Sequence, residues 1–115
     1  MNTVFALATA RGRAGIAVVR ISGIHAVQAC NAMMDGVPEA RGLRAITDPD
    51  GQLIDEALVL YFPQGKSFTG EDVVELHLHG SPAIIAAVLR VLGDHPDLEP
   101  AEAGEFTRRA LENGQ

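Results

Sequence analysis

Cysteine is nearly absent from this sequence. Cys30 is the only one, so no intrachain disulfide can form and the fold does not depend on an oxidising compartment. Positive charge is also scarce: Lys and Arg number 9 against 15 Asp and Glu, leaving a formal net charge of −6. A chain so short of cations is poorly equipped to grip a nucleic-acid backbone by itself. Arg11, Arg13 and Arg20 lie close together in sequence and leave room for a local basic patch. No apolar run approaches a membrane span in length, and the stretch from Met1 to Ala10 lacks the basic-then-apolar pattern of a signal peptide. A cytosolic, membrane-free location is therefore expected. Internal repeats, low-complexity segments and linkers are missing too. What remains, 115 residues at 47% hydrophobic and 21% charged, fits one domain around one core.

Several catalytic signatures are lacking. Gly65-Lys66-Ser67 invites comparison with a phosphate-binding loop, but that motif needs a glycine five positions before its last one, where this sequence has Leu60 inside a predicted strand. No GTP or ATP site is expected within these residues. No Ser-His-Asp or Cys-His arrangement suggests itself, and Cys30 falls on a helical apolar stripe, which marks it as core.

The patterns that are present predict alternating strands and helices. Val4 to Ala8 and the β-branched run Ile16 to Ile21 read as strands joined by a glycine-punctuated loop. Ser22 is placed to cap a helix whose apolar positions are Val27, Cys30 and Met34, ending at Gly36 and Pro38. Leu43 to Thr47 and Ile54 to Phe62 flank Asp48-Pro49-Asp50-Gly51, which predicts a hairpin. Ala57 to Phe62 is apolar without alternation, which predicts a strand covered on both sides. Val73 to His79 alternates, with Val74, Leu76 and Leu78 on one face and Val73, Glu75, His77 and His79 on the other. Ser81 and Pro82 then open a helix carrying Ile85, Val88, Leu89 and Leu92 and ending at Gly93. Leu98 to Pro100 reads as an edge strand, and Glu105 to Asn113 as a last helix stopped by Gly114. This order predicts an α+β domain, one mixed sheet packed with helices, over residues 1–115.

A few residues stand out chemically. Gly12 and Gly15 in an arginine-bearing loop have the makings of an anion cradle, but a tight connection with solvated arginines accounts for them better. His77 and His79, two apart on one strand face with Glu75, have a spacing found in metal sites; the competing reading is a hydrogen-bonded polar sheet face, which the lack of a further ligand favours. Arg20 is a charge inside an apolar strand, and Glu75 has the same oddity in its own strand. Either the two face a ligand, or they form a structural ion pair.

These odd residues sit inside four collinear strings that resemble the amino-terminal domain of the MnmE (TrmE) tRNA-modification GTPases. The strings are Gly15-Ile16-Ala17-Val18-Val19-Arg20-Ile21-Ser22-Gly23, Ser67-Phe68-Thr69-Gly70-Glu71-Asp72, Glu75 through His79-Gly80-Ser81, and Gly104-Glu105-Phe106-Thr107-Arg108-Arg109-Ala110 with Asn113-Gly114. The resemblance implies a domain related to the folate-binding domain of glycine-cleavage T-protein. It implies binding of 5-formyl-tetrahydrofolate or a related reduced folate, and homodimerisation. Members of the family continue into a Ras-like G domain inserted in a helical domain, so this chain is expected to be a fragment and not itself an enzyme. The full-length parent is expected to hydrolyse GTP, with magnesium and potassium bound outside these residues. It is expected to act with the MnmG (GidA) partner protein on the wobble uridine of tRNA. By resemblance, Arg20 and Glu75 contact the folate, and a carboxylate there can accept the paired N–H groups of a pterin. The family usually has a ligand-contacting Lys at the position of Gln115, so weak folate binding by this chain is expected. A dimerisation module without folate, and a metal-dependent enzyme using His77 and His79, are the rival readings.

Overall fold

The computed structural model describes residues 2–9 and 15–114. The elements are β1 (Thr3–Leu7), β2 (Ile16–Ser22), α1 (Ala26–Asn31), β3 (Arg41–Thr47), β4 (Leu53–Phe62), β5 (Val73–His79), α2 (Pro82–Gly93), β6 (Leu98–Pro100) and α3 (Glu105–Glu112). The six strands form one sheet in the order β3-β4-β5-β2-β1-β6. Four of the pairings are antiparallel, and β6 joins β1 in parallel at the edge. The α+β expectation with a single mixed sheet therefore holds. None of the described helices is long and apolar enough to cross a membrane.

The alternation in β5 explains how the layers are built. Val74, Leu76 and Leu78 are fully buried and pack with Val19 and Ile21 of β2, and with Ala57 and Val59 of β4, against one side of the sheet. Ala26, Ala29, Cys30 and Met33 from the α1 region and Val88 and Leu92 of α2 complete this core. Each such large side chain contributes about 1.5–3 kcal/mol when removed from water. The other side of the sheet is covered at one end, where Val4, Ser22 and Val73 form a buried row, and is open elsewhere. Its remaining cross-strand rows are Leu43, Leu58, His77 and Val18, and Arg41, Leu60, Glu75, Arg20 and Ala6.

Two expectations require correction. The run from Ala57 to Phe62 is not covered on both sides: Ala57 and Val59 are buried while Leu58 is 36% exposed, because α1 and α2 cover only the opposite face. Ser22 does not cap a helix. It is the last residue of β2, paired with Val73 and Val4, and α1 starts only at Ala26. The buried stripe of α1 is accordingly Ala26, Ala29 and Cys30, with Val27 only partly covered. Burial pushes the Cys30 thiol up to about 12, in keeping with a core residue. The hairpin turn forms as expected, with Asp48 Oδ1 accepting the backbone N–H groups of Asp50 and Gln52, both at 2.9 Å.

Between β2 and α1 the chain turns against β1 with no room to spare. Gly23 has φ +141°, and a Cβ placed on it would lie 2.6 Å from the Thr3 Cα. Gly23→Ala is expected to lower unfolding stability by about 2 kcal/mol or more, read as a drop in urea midpoint at unchanged slope.

Candidate functional site

Arg20 and Glu75 are directly opposite each other on β2 and β5, on the open face of the sheet. Nε of Arg20 donates to Glu75 Oε2 at 2.9 Å, and a terminal nitrogen of the same guanidinium stands 2.9 Å from that oxygen as an ion-pair contact. His77 Nε2 lies 3.1 Å from the other oxygen, Oε1. The ion-pair arrangement is therefore present, and it places both charges on one side of the sheet. A carboxylate has about four acceptor positions, and both oxygens of Glu75 are engaged, Oε2 by Arg20 and Oε1 by His77. The side chains of Arg20 and Glu75 are 24% and 15% exposed, so the attraction itself is worth about 1 kcal/mol or less. Its larger effect is to aim the guanidinium.

That guanidinium points into a cleft of about 440 Å³, lined among others by Ala6, Leu7, Arg20, Phe68, Gly104 and Phe106. This volume lies within the ~300–1000 Å³ of small-molecule sites. The Arg20 Cζ stands 5.8 Å from the Phe68 ring centroid and 5.4 Å from that of Phe106. Both distances suit cation–π attraction. Glu75 is not among the residues lining the cleft; it holds Arg20 from the sheet side.

The two aromatic walls come from elements with little apolar anchorage. Phe68 sits in the loop from Pro63 to Asp72, between buried Ser67 and Thr69, and this alternation turns its ring outward. Phe106 lies in the first turn of α3, whose buried residues are Glu105, Arg109 and Ala110. Polar bonds do the anchoring. The Arg109 side chain is only 3% exposed. It reaches Glu71 Oε1 of the loop at 2.9 Å and Glu105 Oε2 of its own helix at 2.7 Å. Ser22 Oγ donates to Glu71 Oε1 at 2.8 Å and lies 2.7 Å from Thr69 Oγ1, which joins the end of β2 to the same network. Asn113 Nδ2 donates to the Thr69 carbonyl at 2.8 Å, and the Glu102 backbone N–H donates to Glu105 Oε1 at 2.8 Å.

The histidines are not gathered into a ligand set. His77 is tied to Glu75, whereas His79 Nδ1 lies 2.8 Å from Asp55 Oδ1. Among the described residues no three His, Cys, Asp or Glu side chains converge as metal ligands would. Gln115 lies outside the described residues, as do Arg11, Gly12 and Arg13.

With this geometry in place, the comparisons with known proteins are specific. Residues 3–115 match the family model described as "GTP-binding protein TrmE N-terminus". The chain belongs to that family. Similar proteins include the "tRNA modification GTPase MnmE" of Rhodospirillum rubrum, 51% identical over 130 residues covering 100% of this chain. That of Dinoroseobacter shibae is 55% identical over 117 residues, again covering 100% of the chain. The human "5-taurinomethyluridine-[tRNA] synthase subunit GTPB3, mitochondrial" is 54% identical over 119 residues covering 98% of the chain. The chain spans 29%, 27% and 24% of these three proteins respectively.

Reading residues singly overlooks much of this TrmE amino-terminal site. Phe68, Phe106, Glu71 and Arg109 stand out only as parts of motifs. The one local signal for the buried network is the spacing of Glu105 and Arg109, an i, i+4 pair of opposite charge in a helix with almost no apolar face.

Burial tends to raise the Glu105 carboxyl, but the Glu102 backbone N–H and then the Arg109 guanidinium outweigh it, so the net shift is downward. A carboxyl that binds its proton less readily folded than unfolded stabilises fully above the ordinary glutamate value of about 4.3. That contribution is lost as pH falls through the lower, folded-state value. Urea midpoints taken from pH 7 down to pH 3 should fall further for the wild type than for Glu105→Gln, which has no such proton to take up.

Proposed function

We propose that this chain is the reduced-folate-binding and homodimerisation module of a GTPase that modifies the wobble uridine of tRNA. The observation that carries the reading is the cleft, with one aimed guanidinium between two aromatic rings. A reduced folate of the 5-formyl-tetrahydrofolate type offers what such a cleft selects: a flat bicyclic ring for Phe68 and Phe106, and carbonyl or carboxylate oxygens for Arg20. Glu75 keeps Arg20 in place from the sheet side, and its carboxylate is the acceptor for a pterin N–H that reaches past the cleft lining. Gln115 follows Asn113 and Gly114 where the family carries a cationic contact, so its amide leaves the folate without that charge.

For the dimer, support comes from the open sheet face, where Leu43 and Ile16 are 71% and 57% exposed. For the parent activity, support comes from the names of the relatives, which are tRNA-modifying GTPases. In that reading GTP, magnesium and potassium bind outside this chain, the whole protein works with MnmG and tRNA, and the compartment is the cytosol. A dimerisation module without folate is the rival that the closed Arg20–Glu75 pair favours.

Calorimetric titration with 5-formyl-tetrahydrofolate tests the assignment. Arg20→Ala and Glu75→Ala should each weaken binding at least about tenfold, equivalent to about 1.4 kcal/mol. Gln115→Lys should tighten it. Binding by Glu75→Ala as strong as wild type would remove that residue from the site, and a wild-type chain that ignores the ligand at millimolar concentration would leave the dimerisation-only reading.

A further inference from the structure

We infer that Arg109 is a positioning residue for the cleft: by joining α3 to the loop from Pro63 to Asp72, it makes the two aromatic walls stand at Arg20 together or not at all. The inference rests on the cleft being the binding site, as proposed above, but the coupling itself can be tested without ligand.

The argument starts from what α3 lacks. It is a helix of eight residues whose buried side chains are Glu105, Arg109 and Ala110. Two of the three are charged, so apolar burial contributes little to holding it. A guanidinium 3% exposed must be matched by charge and hydrogen bonds, or the helix cannot dock. One of its carboxylates, Glu105, travels with the helix and would keep its bond wherever the helix went. The other, Glu71, belongs to the loop. Arg109 is thus satisfied only when the helix and the loop are both in place.

The same condition applies from the loop side. Glu71 Oε1 accepts from both Arg109 and Ser22, and Thr69 is bound at its hydroxyl by Ser22 and at its carbonyl by Asn113. The loop segment carrying Phe68 is therefore fastened to the end of β2 and to the C-terminal half of α3. Phe106 lies one turn before Arg109 on α3, and Phe68 lies three residues before Glu71. The planar fork of arginine, which serves two carboxylates at once, is what a lysine cannot reproduce. Neither Arg109 nor Glu71 lines the cleft; both act through the rings they place.

Amide hydrogen exchange on the intact chain, without ligand, reads the coupling directly. Glu71→Gln, a change on the loop, should speed exchange across Glu105 to Glu112 at least tenfold. Arg109→Gln, a change on the helix, should do the same for Ser67 to Asp72. Amides of β4 and β5 should keep wild-type rates in both, which certifies that the sheet is intact. With 5-formyl-tetrahydrofolate as probe, both variants should bind at least tenfold more weakly, and Arg109→Lys should recover only part of the loss. The inference is overturned if either variant loosens only its own element, or if both loosen their partners while the folate Kd is unchanged. Should the wild type take up no folate, the functional reading fails, and the exchange rates alone decide whether the two walls are joined. Should Arg109→Gln not fold, the milder Glu71→Gln still decides it.

Discussion

A guanidinium shut away from water must bring its counter-charges with it, and the side of this molecule that carries the cleft is arranged around meeting that demand for Arg109. Its two carboxylates come from different elements, and a hydroxyl from a third, Ser22, shares one of them. This polar junction stands where a larger protein would place a second hydrophobic core. The first core already uses the apolar faces of β2, β4, β5, α1 and α2, and little apolar surface remains for α3. Hydrogen-bonded charge does the work instead. Such an arrangement is more sensitive to the loss of one partner than apolar packing is, because the remaining charges stay buried.

The sheet divides two tasks between its faces. One face carries the hydrophobic core and supplies stability. The other presents a row that changes from arginine to leucine to carboxylate to arginine, which is costly in a core but useful beside solvent. Arg20 is constrained more strongly than a surface arginine ordinarily is. Glu75 holds it along the sheet, and two rings confine its free side. A side chain with about 2 kcal/mol of rotamer entropy to lose has thus lost much of it before any ligand arrives, which is how preorganised sites gain affinity.

Much of this architecture can be read from residue order, and the exceptions have physical causes. The alternation in β5 shows directly which face is buried, since period-two patterning is a property of one strand. The hairpin at Asp48 to Gly51 is equally local. Ser22 misleads because a serine before a helical stretch and a serine at the end of a buried strand look alike until Thr69 and Glu71 are brought beside it. Ala57 to Phe62 misleads for a related reason: an apolar run reveals affinity for burial but not how many layers are available to cover it. Arg20 and Glu75 are legible as oddities, each a charge in an apolar strand. Their direct opposition depends on the β2–β5 register, which no local pattern encodes. Phe68, Phe106 and the Arg109 network depend on contacts between parts of the chain far apart in sequence, so only the motif resemblance pointed near them.

The place of β6 in the sheet has a consequence for synthesis. β1 leaves the ribosome more than ninety residues ahead of its second neighbour, Leu98 to Pro100. Until then β1 has a bare edge, and hairpins such as β3–β4, closed by a short turn, form well before it is covered. The cleft is assembled later still, because one wall stands on α3. A nascent chain therefore holds a nearly finished sheet before it holds any site, and a partly made molecule has no means of retaining a small ligand there.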